Sequence, residues 1–226
     1  MTYESLSQKQ GRAITPVFKT KLKPYQIVDG IPTFKDSELI RLLERAKEER
    51  LFPLVMYNVD PEMNPAAFLQ MYKGASGRLL WLVFYDDQLA GWIWLDDIAN
   101  RTARSHFCLF RWVSKGKFSQ EIGREIFWQL FSLKFRNGVM LQVIRAEMPG
   151  FNKPGLWFLE NIGLRAIGEI PNAAYRFSTD TFYPMVYLYA TKDMLKWNFE
   201  NIMSIAPRKD DMPELSNLYE GQKPAH

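Results

Sequence analysis

The sequence has almost no cysteine and almost no histidine. Its 226 residues include one cysteine, Cys108, and two histidines, His106 and His226. A single cysteine excludes an intrachain disulfide. The cysteine and the two histidines are not spaced like metal ligands, so we expect no metal site. Cys108 lies in the apolar stretch HFCLF, where a thiol is more often a buried small hydrophobe than a nucleophile.

Long apolar runs and dense basic blocks are also missing. The longest apolar run, LLWLVFY at 79–85, is far too short to cross a bilayer, and the first residues lack the apolar core of a signal peptide. The net charge of +4 permits an anionic partner, but no Lys/Arg cluster is dense enough for a nucleic-acid arm. We therefore expect a cytoplasmic protein with neither a membrane nor a nucleic-acid partner.

Apolar and aromatic residues, in contrast, are plentiful. Hydrophobic residues make up 47% and aromatic residues 15% of the chain. The first value is typical of a globular protein, and the second favours a structure with many strands. Five tryptophans fall at spacings typical of a core or a sheet face, namely Trp81, Trp92, Trp94, Trp112 and Trp128.

The hydrophobic patterns predict an α/β protein with a mixed, mostly antiparallel sheet and helices on both faces. The expected order is a strand, two helices, three antiparallel strands, a long helix, a strand, a short helix and two final strands. The main predicted strands are 25–31, 78–85, 89–95, 103–113, 139–148 and 185–190, and the main helices 33–50, 59–72 and 119–136.

Three regions follow from this order. Residues 1–24 are polar and predict an extended lead-in, and residues 25–191 carry the regular patterns of one domain. Residues 192–226 predict a helix followed by a polar, proline-containing tail. Tails of this composition often become ordered only on contact with a partner or a second copy, so a homo-oligomer formed through the terminal arms is one hypothesis.

The stretch FNKPGLWFLENIGLRAIGEI, residues 151–170, is the most distinctive in the chain. Asn152 is its second residue, a short helix with Leu-Glu follows, and after two further residues comes Gly163. This run resembles the GNAT superfamily of acyl-CoA-dependent N-acetyltransferases, most closely the branch that acetylates protein N-termini such as those of ribosomal proteins. LAGWIWL is similar to the third strand of that family, and the likeness spans roughly 25–191.

The resemblance implies a central pair of parallel strands that splay apart and admit the pantetheine arm of acetyl-CoA. The two strands would be 106–113 and 139–146. The first would bring Arg111, Trp112 and Val113 to the cofactor, and Asn152 would face the same slot while also capping its helix. The implied activity is transfer of an acetyl group to an amine, such as a protein N-terminus, by direct attack in a ternary complex.

The phosphate-binding loop of the family departs from its usual pattern here. That pattern is Arg or Gln, two residues, Gly, one residue, then Gly or Ala, whereas VSKGKFSQEIGREI offers only Gly116 and Gly123. Glu121 or Phe118 occupies a glycine position, depending on the register, and both hinder close approach of phosphate. The residues that remain for cofactor phosphate are Lys115, Gly116, Lys117, Ser119, Gly123 and Arg124; the alternative is a solvated basic loop capped by Ser119.

The catalytic groups of the family are replaced as well. Leu159 stands where many members carry a tyrosine acid, and Gly155 stands where the N-terminal-acetylating branch carries a serine. Acyl transfer to an ammonium group needs a base. The candidates are Glu147, Asp96 and His106, with Tyr175 or Tyr183 as donors.

Two other functions remain open from the residues. The missing glycine, tyrosine and serine favour a GNAT-shaped binding or assembly module that has lost its chemistry, of the kind phage genomes carry. An aminoacyl-tRNA-dependent transferase would use the same fold. It needs a broad basic surface, which a net charge of +4 does not indicate.

Overall fold

The computed structural model describes residues 18–73, 77–114, 118–133 and 140–195. Its strands are β1 Thr20–Pro24, β2 Ile27–Val28, β3 Ile31–Pro32, β4 Leu79–Tyr85, β5 Gln88–Ala99, β6 Thr102–Leu109, β7 Val143–Pro149, β8 Arg165–Arg176 and β9 Thr181–Thr191. Its helices are α1 Asp36–Glu48, α2 Phe52–Val55, α3 Pro65–Lys73, α4 Arg111–Ser114, α5 Phe118–Ser132 and α6 Lys153–Asn161.

Seven strands form one sheet in the order β1-β4-β5-β6-β7-β9-β8, and β2 pairs with β3 separately. Within the described strands, β6 and β7 are the parallel pair, and the other pairs are antiparallel. The pairing of β6 with β7 covers Thr102–Arg104 against Val143–Arg145 and then stops, although both strands continue. The mixed sheet with a splayed central pair is therefore confirmed.

The bounds of the two central strands differ from the prediction. Residues 111–113 form helix α4 and not the end of a strand, and β7 begins at Val143, after the predicted start at 139. Apolar residues continue from β6 into α4, so the pattern by itself did not mark where the strand stops.

The alternation within β4 explains why the run LLWLVFY is apolar throughout. Trp81 and Val83 belong to the core formed with α5 and α6, whereas Leu80 and Leu82 belong to the core formed with α1 and α3. Successive strand residues point to opposite faces, so a strand covered by helices on both faces needs apolar residues at every position. The predicted helices on both faces are thus confirmed.

The tryptophans divide between core and surface. Trp81, Trp92 and Trp94 are buried, as the sequence predicts, whereas Trp112 on α4 remains 37% exposed. Its indole Nε1 donates to the carbonyl oxygen of Leu89, 3.1 Å away. Trp112 therefore anchors α4 to the start of β5 from the surface.

The sheet begins at β1, before residue 25, in a stretch that the sequence suggested was a lead-in. Thr20–Pro24 pairs with β4 along its whole length. Lys21 and Lys23 alternate with more buried neighbours, and a lysine-bearing edge strand discourages pairing with other chains. Most of the predicted C-terminal arm, from 196 onward, and residues 1–17 lie outside the described residues.

Helix α5 holds the start of β1 through two side chains one turn apart. The carboxylate of Glu125 accepts the backbone N–H of Thr20 at 2.7 Å, and the amide of Gln129 donates to the Thr20 carbonyl oxygen at 2.9 Å. Glu125 and Thr20 are both buried. The contact therefore satisfies backbone groups that the end of an edge strand would otherwise leave unpaired.

We expect Glu125→Leu to lower the free energy of unfolding by roughly 1–3 kcal/mol, because the buried N–H of Thr20 loses its charged acceptor. Urea unfolding followed by fluorescence measures this. Glu121→Leu is the matched control one turn earlier, since Glu121 makes a largely exposed ion pair with Lys19, and such pairs contribute little. Equal losses in the two variants would contradict the role of Glu125.

Candidate active site

A cleft of about 700 Å³ opens where β6 and β7 diverge. Its walls come from β6 beyond Arg104, from β7 beyond Arg145, from the start of α6 and from the segment 51–59. At the fork, the hydroxyl of Ser105 donates to the carbonyl oxygen of Arg145 at 3.1 Å. This side-chain bond links the two strands just beyond the last backbone pair and closes the narrow end of the cleft.

The three predicted catalytic residues meet near this fork. Arg104 donates through Nε to Asp96 at 2.8 Å and through a terminal nitrogen to Glu147 at 3.1 Å. His106 Nε2 lies 3.1 Å from the same Asp96 oxygen. Arg104, which the sequence did not single out, is the residue that joins them. No motif marks it, and only the register that sets Asp96 opposite Arg104 reveals it.

Asp96 is held as a carboxylate. Burial alone would raise its pKa, but the hydrogen bonds from His106 and Arg104 outweigh burial and hold the pKa well below its usual range. The hydrogen bond with Asp96 in turn raises the pKa of Arg104. Asp96 is therefore too weak a base to take a proton from an amine, and its role is to orient its neighbours.

The imidazole of His106 is fixed on two sides. It stacks on the indole of Trp94, with ring centroids 4.5 Å apart and an interplanar angle of 4°. Because the carboxylate of Asp96 can only accept, Nε2 carries the hydrogen, and in the neutral ring the lone pair is on Nδ1. The ring of His106, which lines the cleft, is thus held in one orientation.

Tyr57 also lines the cleft, and the sequence gave no signal for it. It lies in the connection after α2, where its carbonyl oxygen accepts the N–H of Phe177 at 2.8 Å and its ring meets the edge of Phe151. Burial, together with the charge of Glu147, raises the pKa of Tyr57 to about 12. The phenol therefore remains a proton donor across the physiological range.

The two tyrosines that the sequence suggested as donors lie elsewhere. The hydroxyl of Tyr175 donates to Asp180 at 3.0 Å on the surface, and the ring of Tyr183 packs on Phe151. Neither is among the residues that line the cleft.

Of the residues predicted at the end of the first central strand, only Arg111 lines the cleft. Its backbone N–H and its Nε both donate to Glu49. Val113 is fully buried in the core, and Trp112 faces the surface. The reason is the helical turn of α4, which sends three consecutive side chains in three directions, whereas a strand would have placed Arg111 and Val113 on one face.

Helix α5 brings Ser119, but not Gly123, to the cleft. A Cβ on Gly123 would lie 2.6 Å from the ring of Phe158 and 2.9 Å from Ile162. The close contact of α5 with α6 thus requires glycine at this position, and the predicted contact of Gly123 with phosphate stays a prediction. Lys115, Gly116 and Lys117 lie outside the described residues.

The remaining charged candidates on α5 have protein partners. Arg124 donates to the carbonyl oxygen of Asn161 at 2.9 Å, so it joins α5 to the end of α6. Glu121, which the sequence suggested would repel phosphate, accepts from the hydroxyl of Tyr85 at 3.3 Å. Its carboxylate therefore turns toward β4.

Asn152 caps α6 as predicted. Its Oδ1 accepts the N–H of Gly155 at 3.1 Å, and its Nδ2 lies 3.1 Å from the sulfur of Met148. A Cβ on Gly155 would come within 2.8 Å of Asn152 Nδ2. The absence of serine at 155 therefore fits the position of Asn152, which is buried and lines the cleft.

The residues of the cleft fit a thin, thioester-bearing chain. Beyond Arg104 and Arg145 the two strands no longer pair with each other, so their facing edges border the slot. Cys108 also lines it, but burial raises the pKa of its thiol, so no thiolate nucleophile forms. Leu159 is fully buried, and α6 thus provides no acid at that position.

Two further features were searched for within the described residues. No cluster of three or more His, Cys, Asp or Glu side chains is arranged to hold a metal ion. None of the described helices has the length and apolar character that a membrane span requires.

No model of a known protein family and no curated protein sequence matches the chain. Solved structures do. The spermidine N-acetyltransferase of Vibrio cholerae, in complex with CoA and spermine, matches with a TM-score of 0.62 and 11% identity over 79% of this chain and 98% of that one.

Two other solved structures that match the chain also contain CoA or a CoA disulfide. RimJ of Mycobacterium smegmatis, in complex with a CoA disulfide, matches with a TM-score of 0.58 and 15% identity over 78% of this chain and 88% of that one. RimL, a ribosomal L7/L12 alpha-N-protein acetyltransferase in complex with coenzyme A, matches with a TM-score of 0.54 and 13% identity. The match covers 77% of this chain and 95% of that one. The chain thus has the fold of the GNAT acetyltransferases.

Proposed function

We propose that the chain is an acyl-CoA-dependent N-acyltransferase in which an amine attacks the thioester directly in a ternary complex. The observation that carries the proposal is the fork of β6 and β7, with the network of His106, Asp96, Arg104 and Glu147 at its narrow end. The bound CoA thioester would supply an activated acyl group. Asn152, Ser119 and Arg111 are the described candidates to hold its chain.

The chain's own side chains divide the proton transfers. His106 Nδ1 accepts the proton of the incoming ammonium group, and Asp96 fixes the imidazole in the tautomer that leaves Nδ1 free. Tyr57, whose phenol stays protonated, donates a proton to the departing thiolate. Glu147 is tied to Arg104, and its role as a base is secondary in this scheme.

Calorimetric titration with acetyl-CoA tests the proposal. We expect saturable binding, and no heat at millimolar acetyl-CoA would contradict it. Asn152→Asp keeps the oxygen that caps α6 but removes the Nδ2 donor, whereas Asn152→Ala loses the cap as well, at a cost of about 1 kcal/mol. If Asn152 contacts the cofactor, both variants bind acetyl-CoA several-fold more weakly, yet only the alanine variant melts earlier.

A binding module without chemistry is the second candidate. The buried Leu159 and the crowded Gly155 favour it, since neither position provides the acid or the hydroxyl that related enzymes use. Under this alternative the protein binds acetyl-CoA but releases no CoA with any amine. Light scattering of the full chain and of a tail-truncated chain tests assembly through the terminal arms.

The acceptor in the main proposal is an amine, and a protein N-terminus is one candidate. Structural matches include enzymes named for spermidine and for a ribosomal protein, so the fold is compatible with both kinds of acceptor. The side chains of the cleft decide between such acceptors.

A further inference from the structure

The cleft is lined from both faces of the sheet, because alternate residues of β6 point to opposite sides. Cys108 belongs to the core formed with α1 and α3, so His106, two residues earlier, points to that side as well. Phe107 points to the other side, where its ring centroid lies 5.0 Å from that of Phe158 on α6. The cleft therefore has an α1–α3 side and an α5–α6 side.

The function proposed above places the cofactor and the base on different sides. Ser119 lies on α5 and Asn152 caps α6, and these two helices pack on the α5–α6 side. A thioester held by them reaches the fork from that side. The amine that gives its proton to His106 then comes from the α1–α3 side.

The α1–α3 side is walled by α2, which is apolar all round. Phe52 and Met56, four residues apart, are 3% and 4% exposed and belong to the core. Leu54 lies on the opposite side of this turn, and both it and Val55 line the cleft and stay partly exposed. A surface turn normally directs polar side chains away from the core, so an apolar outer side favours an apolar ligand group.

The carboxylates on the same side are already paired. Among the described residues, Asp96 and Glu147 are the carboxylates that line the cleft, and Arg104 donates to both. Asp96 also lies 4.0 Å from Arg78. A second ammonium group on the acceptor would therefore find no unpaired carboxylate there, and burying it alone is costly.

We propose that the acceptor is an amine with a single positive charge and an apolar group, and that the apolar group packs against Leu54 and Val55 while the amine meets His106. The proposal rests on the acyltransferase function above and names its acceptor class. Leu54 then determines specificity. A free alkylamine and a peptide N-terminus with an apolar first residue share this chemistry.

Matched pairs of amines test the acceptor class by calorimetry, without requiring turnover. Pentylamine and cadaverine have the same carbon chain and differ by one ammonium group, and tripeptide amides that begin with norleucine or lysine differ in the same way. Each probe is titrated into the full chain with and without saturating CoA. Acetyl-CoA is titrated first, so a failure of cofactor binding, which would contradict the acyltransferase itself, is seen separately.

In at least one pair we expect the singly charged member to bind roughly tenfold more tightly, the effect of burying about two methylene groups. The doubly charged member must either bury its second ammonium group unpaired or leave part of its chain in water. The pair that shows the preference distinguishes a small amine from a peptide N-terminus.

Variants of Leu54 test the wall itself. Leu54→Asn keeps the size of the side chain but not its apolar surface, so most of the preference should be lost. Leu54→Asp has nearly the same shape and adds a carboxylate, so it should favour the doubly charged member. Ile31→Asn, at a residue of β3 that is 71% exposed and does not line the cleft, should retain the preference. The affinity for acetyl-CoA should be the same in all three variants.

Equal or weaker binding of the singly charged member in both pairs, or no binding of any probe, overturns the proposal. An unchanged preference in Leu54→Asn does so as well. Octanoyl-CoA separates the acceptor from the acyl chain as the occupant of the wall. If it binds more tightly than acetyl-CoA and Leu54→Asn abolishes the difference, the wall holds the acyl chain and the proposal is wrong.

Discussion

Replacing His106 with glutamine is expected to lower kcat by a factor of about 100 or more, because a positioned general base contributes on that scale. Glutamine keeps a polar group near Asp96 but cannot take up a proton at neutral pH. CoA release with the fastest acceptor from a panel of amines measures kcat. The affinity for acetyl-CoA should change little, since the imidazole is held by Trp94 and Asp96 at the narrow end of the cleft.

The only other histidine of the chain provides a matched control. His226→Gln makes the same chemical change at the last residue of the sequence, and it should leave kcat as it is. Asp96→Asn should also lower kcat, because it frees the imidazole to adopt the wrong tautomer. If His106→Gln keeps a third or more of the activity, His106 is not the base and Glu147 becomes the first candidate.

Replacing Gly91 with alanine is expected to destabilise the protein by about 3 kcal/mol, the upper end of the usual cost of overpacking. A Cβ on Gly91 would lie 1.9 Å from the carbonyl oxygen of Cys108, which is backbone and cannot swing aside. Gly91 faces Leu109 where β5 pairs with the end of β6. The clash would therefore push β6 at one border of the cleft, and urea unfolding measures the loss.

Gly168 is an unusually close control for this change. Its φ of +156° equals that of Gly91, yet a Cβ there would meet no atom within 4 Å. Gly168→Ala thus carries the same backbone cost without the clash, and the difference between the two variants isolates the contact with Cys108. Similar losses in both would show that backbone conformation alone, and not the approach of β5 to β6, requires glycine at 91.

Local patterns in the sequence were sufficient for much of the fold. The apolar stripe of α1, the hairpin of β4 and β5, and the cap of α6 by Asn152 depend on neighbours within a few residues. Such features follow from periodicity and capping, so they are readable without the tertiary structure. Edge strand β1 was missed because its partners, β4 and the side chains of Glu125 and Gln129, lie far away in the chain.

The candidate site was readable only in part. Glu147, Asp96 and His106 stood out as polar residues at the ends of predicted strands, and the structure places all three in the cleft. The sequence could not show which of the three is free and which is tied up in ion pairs. That depends on Arg104, which binds Asp96 on one strand and Glu147 on another. Nothing in the sequence marked Tyr57 as a site residue. Its place in the cleft and its raised pKa come from burial and from the charge of Glu147, which only the tertiary structure brings near.

The sequence by itself determined a mixed α/β protein with an asparagine-capped helix after a central strand, because those properties follow from short-range backbone preferences. The tertiary structure alone decided which residues face the ligand. In the folded chain, Gly123 lies in the contact between two helices, Val113 is buried in the core and Arg78 lines the cleft. Side-chain direction depends on the register and on where β6 gives way to α4, and neither is encoded within a few residues.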